Sequence, residues 1–585
     1  MSALFQRLGR ALPERHAPGK SSFATEAKAL RDWIDHLPLA NPNATARLLV
    51  TALHEMNQLQ LDPSQRMAAM EALRGPIAHV VASLDRMVNA DVFPLPPAKQ
   101  QLGQQISEFD RELALGYTAL VHDVCAPVGA VPFLRGKIVT FALVRAVQHC
   151  GALLFRAYLM YQAPPEGVWQ MLHDLFQFAV AVRLDEKRIE DPLRGGDQVS
   201  VRDSYTQSLL FALSNPYRFT QKENAEIYAL THALGTYCEL RPGRAPEGAI
   251  AVQVDKDAGP GYLLEEREVP RHDVWAFQIS GLTRFLDSEL ATLPAGAESV
   301  TLKPRHAAAV NVDLNLIEKL TQTWTGTAAR GQTRLPAGHH LDCVIGLHSV
   351  HYVLCENMDF DTFLRTIRGV AISLRESDRI AAWTASSGES ARIIRNDVRV
   401  LDQSLSGYRL QWEKADGLRV KVGELMALAP PAEDGEPQDW MIGAIRWLRL
   451  QPSGALETGV SLLSRRALPV GLRTFDANHV PRAPMRGLLL ESLAGDTGSG
   501  ARTILAPHLF DRSASEVEVM HPADPFAATP EPLVEVLKHP RVVERGSAYV
   551  QIVLDPPTGD DSNDTQARAA DDVSDGMAML TGSDS

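Results

Sequence analysis

The chain has 585 residues, too many for one hydrophobic core, so about three or four domains are expected. A hydrophobic content of 45% is that of an ordinary soluble protein, and 58 basic against 71 acidic residues give a net charge of −13, which argues against nucleic acid or an anionic membrane as the main partner. Five cysteines, Cys125, Cys150, Cys238, Cys343 and Cys355, are scattered and odd in number, and the opening Met-Ser-Ala-Leu-Phe-Gln-Arg-Leu-Gly-Arg is not a charged-then-apolar leader. Both features point to a reduced, cytoplasmic protein.

Residues 1–24 are expected to be disordered and residues 25–245 to form a helical domain. Asn41-Pro42-Asn43 precedes a helix from Ala44 to Leu59, and Asp62-Pro63 starts another. An Asp at the cap position accepts an orphan N–H, and a Pro at the first helical position has none to leave unpaired. Apolar spacing predicts further helices over Pro97–Val124, Gly136–Tyr161, Gly167–Val182 and Gln221–Cys238. The longest apolar run, Ile138 to Tyr161, contains Arg145, His149 and Arg156, which are costly in lipid, so it reads as a buried helix and not a membrane span. A helix hairpin across Ala163-Pro164-Pro165-Glu166-Gly167 has no second copy at a fixed period, which favours an irregular bundle over a repeat array.

Residues 246–370 change character to a small α/β domain. Ala249–Val254 and Leu341–Gly346 read as strands, Asp273–Leu290 and Asp313–Trp324 as helices. Asp257-Ala258-Gly259-Pro260-Gly261 lacks a following helix start and reads as a plain turn, not a phosphate loop. His339, His340, Asp342, Cys343, His348, His351 and Cys355 form the densest group of metal-ligating residue types, but no Cys-x-x-Cys or His-Glu-x-x-His frame accompanies them, and no metal site is expected. The chain also lacks a Gly-x-Ser-x-Gly elbow, a Walker loop and a kinase signature, so no catalytic residues and no enzymatic activity are expected.

From Val398 onward the chain alternates as strands do. Val398–Leu410 places Asp402-x-Ser404-x-x-Gly407 between two such runs, with the Gly expected to close the turn at positive φ. Val420–Leu428, Met441–Leu448 and Leu456–Leu463 follow at spacings that suit a meander or small barrel. An Asp-x-Ser-x-x-Gly string arises by chance far less than once in a chain of ordinary composition, whereas Arg-x-x-x-Arg arises several times. Residues 476–556 continue as a β-rich extension, and the Asp-, Ser- and Gly-rich stretch 557–585 reads as a disordered acidic tail.

The Asp402-x-Ser404-x-x-Gly407 turn, the Val-Gly-Glu-Leu, Ile-Gly-Ala-Ile-Arg-Trp and Thr-Gly-Val-Ser-Leu-Leu strands and the upstream Arg375-Glu376-Ser377-Asp378-Arg379 together resemble the PilZ domain, the bacterial cyclic di-GMP receptor module, over residues 375–475. The resemblance implies an antiparallel β-barrel over residues 371–475, and with the elements read above the expected fold is a multidomain α + β protein with an N-terminal helical bundle, a central α/β domain and that C-terminal barrel carrying a further β-module. The resemblance also implies that Arg375 and Arg379 clamp the dinucleotide, that Asp402 and Ser404 meet guanine donor edges, and that Gly407 lets the backbone approach the base. Arginine suits the clamp, since a guanidinium forks onto phosphate oxygens and stacks on a purine face. Arg395 and Arg399 offer the same spacing directly before the turn, so which pair serves stays open.

The resulting expectation is a cyclic di-GMP receptor without a cofactor, whose helical region engages an unidentified protein partner. The resemblance associates such receptors with motility, pili, adhesion or exopolysaccharide. The alternatives are a nucleotide-blind interaction scaffold with a degenerate barrel, and a hydrolase using His348 and His351.

Overall fold

The computed structural model describes residues 2–19, 22–88, 93–194, 196–243, 249–263, 273–294, 296–304, 308–325, 333–368, 393–413, 417–431, 438–476, 478–491, 502–511, 514–522 and 532–554. Two compact units are present, Met1–Arg330 with Arg449–Pro452, and Gly331–Leu448 with Ser453–Ser585.

The first unit opens with helices α1 (Ser2–Arg10), α2 (Ala27–Asp35), α3 (Pro42–Asn57), α4 (Pro63–Val88), α5 (Pro97–Cys125), α6 (Gly136–Leu159), α7 (Val168–Ala181), α8 (Val201–Leu213) and α9 (Gln221–Leu234). Their starts follow from local chemistry. The Asn41 side chain accepts from Ala44 N ahead of Pro42, and the Asp62 carboxylate accepts from Ser64 N ahead of α4. Ser200 with Asp203 and Thr220 with Glu223 form reciprocal capping boxes for α8 and α9. Helix α6 is long and apolar enough to cross a membrane by length and composition, yet most of it is buried against α5, α7 and α8. Its Arg145 is fully buried and pairs with Asp191 of the short strand β1 (Ile189–Asp191), which pairs with β2 (Asp197–Val199). Arg74 completes the cluster at 3.2 Å. Burial alone would raise the Asp191 carboxyl, but the two guanidiniums hold it below its ordinary value.

The expected disorder before residue 25 is corrected at its start. Phe5 and Leu8 of α1 are buried, Phe5 stacks on His122 of α5, and Arg7 donates to Asp174 of α7 at 2.8 Å. An amphipathic turn with these partners gains more from burial than a free end gains from chain entropy.

After α9, strands β3 (Glu239–Pro242), β4 (Ile250–Gln253), β5 (Gly261–Tyr262) and β6 (Val274–Gln278) make a sheet in the order β3-β6-β4-β5. The helix expected over 273–290 is therefore split. Val274-Trp275-Ala276-Phe277 is a fully buried central strand, because bulky apolar side chains suit a pleat covered on both faces, and the helix α10 begins only at Ser280 (Ser280–Leu290). Strands β7 (Ser299–Leu302) and β8 (Val310–Asp313) pair before α11 (Leu314–Thr325), whose Trp324 indole donates to Ser214. The expected turn at Asp257 has a role of its own, since its carboxylate accepts from Gly167 N and Gln170 N and so caps α7.

The second unit contains β9 (Leu335–Pro336), β10 (His340–Ile345), helices α12 (Leu347–Leu354) and α13 (Phe360–Arg368), then β11 (Asn396–Ser404), β12 (Gly407–Trp412), β13 (Leu425–Ala429), β14 (Met441–Leu450) and β15 (Leu456–Ser464). The sheet order β10-β13-β14-β15-β12-β11 closes on itself through β10–β11 pairing, giving an antiparallel barrel with β9 on its rim. Leu341, Cys343, Val398, Val400, Leu410, Trp412, Met426, Leu428 and Leu456 are buried on the face that the register directs inward. The strand at His340, expected to belong to an α/β sheet, is thus a barrel stave. Its antiparallel edges match β11 and β13, to which sequence distance is no guide.

Strands β16 (Ala467–Thr474), β17 (Met485–Leu490), β18 (Arg502–Pro507), β19 (Glu516–His521), β20 (Leu533–Lys538), β21 (Arg541–Arg545) and β22 (Tyr549–Leu554) form a second antiparallel sheet, β20-β19-β16-β17-β18-β22-β21. Its β16 falls inside the range 371–475 expected for the barrel. Val344, Val350, Ala427 and Ile442 share one apolar cluster with Leu488, Leu505 and Tyr549, so barrel, α12 and second sheet are bound by a common core.

Candidate functional site

The Asp402 motif lies on the β11–β12 hairpin, where Ser404 pairs with Gly407 across the exposed tip Leu405-Ser406. A register shift between Val400 and Asp402 makes Leu401 an extra residue in β11. Val400, opposite Leu410, faces the barrel interior. Strict alternation would turn residue 402 inward as well, whereas the bulge pairs Asp402 with Arg409 and directs both outward. Ser404 and Gly407 follow on the same outer face, and Ser404 Oγ donates to Gly407 O at 3.3 Å.

Gly407 departs from the expectation of positive φ. A Cβ there would lie 2.1 Å from the Val460 carbonyl oxygen on β15, with φ outside the left-handed region, so the glycine answers to a neighbouring strand and not to turn conformation.

Outer-face charges alternate across adjacent strands. Arg334, just ahead of β9, donates from Nη1 to Asp402 Oδ1 at 2.7 Å. Arg409 Nη1 lies 3.8 Å from Asp402 Oδ2, and its Nη2 donates to Glu457 Oε2 on β15 at 2.8 Å. Arg409 Nε is buried and has no partner among the described residues. Beside this ladder the Trp447 indole lies over Gly459, the register partner of Arg409. Arg334, Arg409, Glu457 and Trp447 are additions that spacing along the chain does not reveal, since strand register brings them together.

Arg375 and Arg379 lie outside the described residues. Of the rival pair, Arg395 Nη1 donates to Gln438 Oε1 at 3.2 Å and its guanidinium sits 5.7 Å from the Trp440 ring centre, while Arg399 is exposed on the same outer face as Asp402.

The histidine- and cysteine-containing group disperses. His340 pairs with Asp397, Cys343 is buried in the barrel with its thiol pushed up to about 12 by burial, and His351 is buried between Phe360 and Phe363 with Nε2 toward Val470 O. Among the described residues, no three His, Cys, Asp or Glu side chains converge in a way that could hold a metal ion.

Comparison with known proteins gives these elements a family. The model described as cyclic-di-GMP receptor FimW, N-terminal domain, matches residues 28–246, and that of the FimW middle PilZ domain matches 249–391 and 370–469. A cyclic-di-GMP receptor FimW of Pseudomonas aeruginosa is 23% identical over 533 residues, covering 84% of this chain and 86% of that protein. No solved structure matches the chain. Helical region, closed barrel and Asp-x-Ser-x-x-Gly hairpin thus stand where the two models lie, and the chain is a PilZ-domain protein of the cyclic di-GMP receptor type.

Proposed function

We propose that the outer face of the barrel around Asp402 binds cyclic di-GMP, with the Asp402 carboxylate and Ser404 hydroxyl accepting from guanine donors and Arg375 with Arg379 clamping the phosphates. The observation that carries this reading is the bulge that turns Asp402 outward beside Ser404 and Gly407, in a chain of this receptor family. A carboxylate has two oxygens and about four lone-pair sites, so Asp402 retains acceptor capacity after its arginine contact and matches the paired N–H donors of guanine. Trp447 and the barrel arginines add an aromatic and cationic border suited to a purine and a phosphate.

The helical region 25–245 carries the output by engaging a protein partner, through helix faces of the kind that commonly recognise other chains. The protein acts in the cytoplasm, a reading supported by five cysteines that are all free thiols. Receptor function requires no catalytic group, and the mutually paired charges at the site serve recognition.

Titration calorimetry of the full chain tests the binding reading. Saturable uptake of cyclic di-GMP that fails in the Arg375→Ala/Arg379→Ala variant supports it as stated. Retention in that variant with loss in Arg395→Ala/Arg399→Ala transfers the clamp to the nearer pair. No uptake by the unmodified protein favours a nucleotide-blind scaffold.

A further inference from the structure

The chain ahead of β10 is laid along β11 by backbone pairing. Pro336 stands opposite Asp402 and Leu335 opposite Gln403, Ala337 N donates to Leu401 O at 3.0 Å, and Val400 N donates to His339 O at 2.9 Å. This short edge segment buries little, and Leu335 is itself 61% exposed. What the pairing does accomplish is to set Arg334 at the rim of the hairpin, where it reaches Asp402 Oδ1 at 2.7 Å. On the opposite side of Asp402, Arg409 is fixed by Glu457. The carboxylate therefore stands between two guanidiniums, one on β12 and one on the edge segment, and the nearer contact is the one made by Arg334.

An exposed ion pair adds little to stability, because solvent screens it and side-chain entropy opposes it. Its value here is orientation. A carboxylate held in one rotamer offers its remaining lone pairs in a fixed direction, and a ligand then loses less in ordering it. We propose that Arg334 is a positioning residue for guanine recognition, holding the Asp402 carboxylate in the orientation that accepts the N1 and N2 hydrogens of the base. This rests on the reading of Asp402 as the guanine acceptor, and it adds a residue from outside the arginine pair and the hairpin motif.

The test is calorimetric titration of the full-length protein with cyclic di-GMP and with cyclic di-IMP, whose hypoxanthine keeps the N1 hydrogen but lacks the 2-amino group. Arg334→Gln, Asp402→Asn and the double variant are compared with the unmodified chain. Arg334→Gln should weaken cyclic di-GMP binding roughly three- to tenfold, the scale of ordering one side chain, and should narrow the preference for cyclic di-GMP over cyclic di-IMP. In the Asp402→Asn background the same substitution should have no further effect, since Arg334 acts through that carboxylate. A merely structural contribution would lower the melting temperature and leave the base preference unchanged. Binding by the unmodified chain with an indifferent Arg334→Gln variant overturns this proposal alone, as does an equal loss in the Asp402→Asn background. Absence of cyclic di-GMP binding by the unmodified chain overturns the parent reading and this one with it.

Discussion

At Gly407 the lack of a side chain is imposed from across the sheet, by the Val460 carbonyl oxygen 2.1 Å from where a Cβ would stand. Gly407→Ala must therefore push β12 away from β15, and overpacking of this kind costs about 1–3 kcal/mol. Urea denaturation should show that loss, together with weaker ligand binding that follows from a displaced hairpin. Asp402→Ala belongs to a different class. It removes a charged acceptor from a half-exposed rim, so affinity for cyclic di-GMP should fall by about 1–3 kcal/mol while thermal stability stays within about 0.5 kcal/mol, a contrast that calorimetry and thermal melts can read side by side. The motif residues were legible in the sequence because Asp402, Ser404 and Gly407 are close in the chain. Arg334, Arg409 and Glu457 were not, since each meets its neighbour across strands and register is set by long-range pairing.

Among the elements, the bulge in β11 matters most to the site, because one additional residue converts an inward position into an outward one. Sequence alternation alone places Val398 and Val400 correctly but gives no warning of the slip at Leu401. The strand Val274–Gln278 illustrates the opposite failure: a short apolar run bears no period that separates strand from buried helix, and only its burial on both faces decides. Helix starts were readable where Asn41-Pro42 and Asp62-Pro63 announce them, while α8, whose buried residues run around most of its surface, offered no clean stripe.

Helix α12 carries a pH dependence. Burial, with Arg486 and His348 adding to it, pulls His351 down to about 3 from 6.5, and its ring stays neutral between Phe360 and Phe363 while Cys355 Sγ donates to Nδ1. The unfolded chain takes up a proton near pH 6.5 and the folded one does not, so this contribution is complete above that pH and is lost progressively as pH falls toward 3. About 2 kcal/mol should be gone at pH 5 relative to pH 7.5. Urea transitions of the second unit at the two pH values measure it, and His351→Leu should flatten the difference.

For the molecule as a whole, the helices α1 to α9 far exceed what a dinucleotide site needs, and their buried faces account for stability without accounting for their size. The proposed output role requires ligand to favour one state of the chain over another, and a tenfold preference supplies about 1.4 kcal/mol. Hydrogen exchange of the full chain should then show ligand-linked changes in residues 25–245. Unchanged exchange throughout that region would reduce the helices to a scaffold. The barrel and helical character were legible because period and capping are local signals, whereas the assignment of His340–Ile345 to the barrel and of Ala467–Thr474 to the second sheet depends on partners distant in sequence.

The central claim is that cyclic di-GMP binds the outer face of this barrel at the β11–β12 hairpin. Hydrogen–deuterium exchange of the full-length protein, with and without saturating cyclic di-GMP, addresses it most directly. The account predicts slowed exchange in peptides spanning Asn396–Ser404 and Gly407–Trp412, lost in Asp402→Ala at the same ligand concentration. Saturable binding that leaves both strands unprotected, or protects them equally in the Asp402→Ala chain, would contradict it.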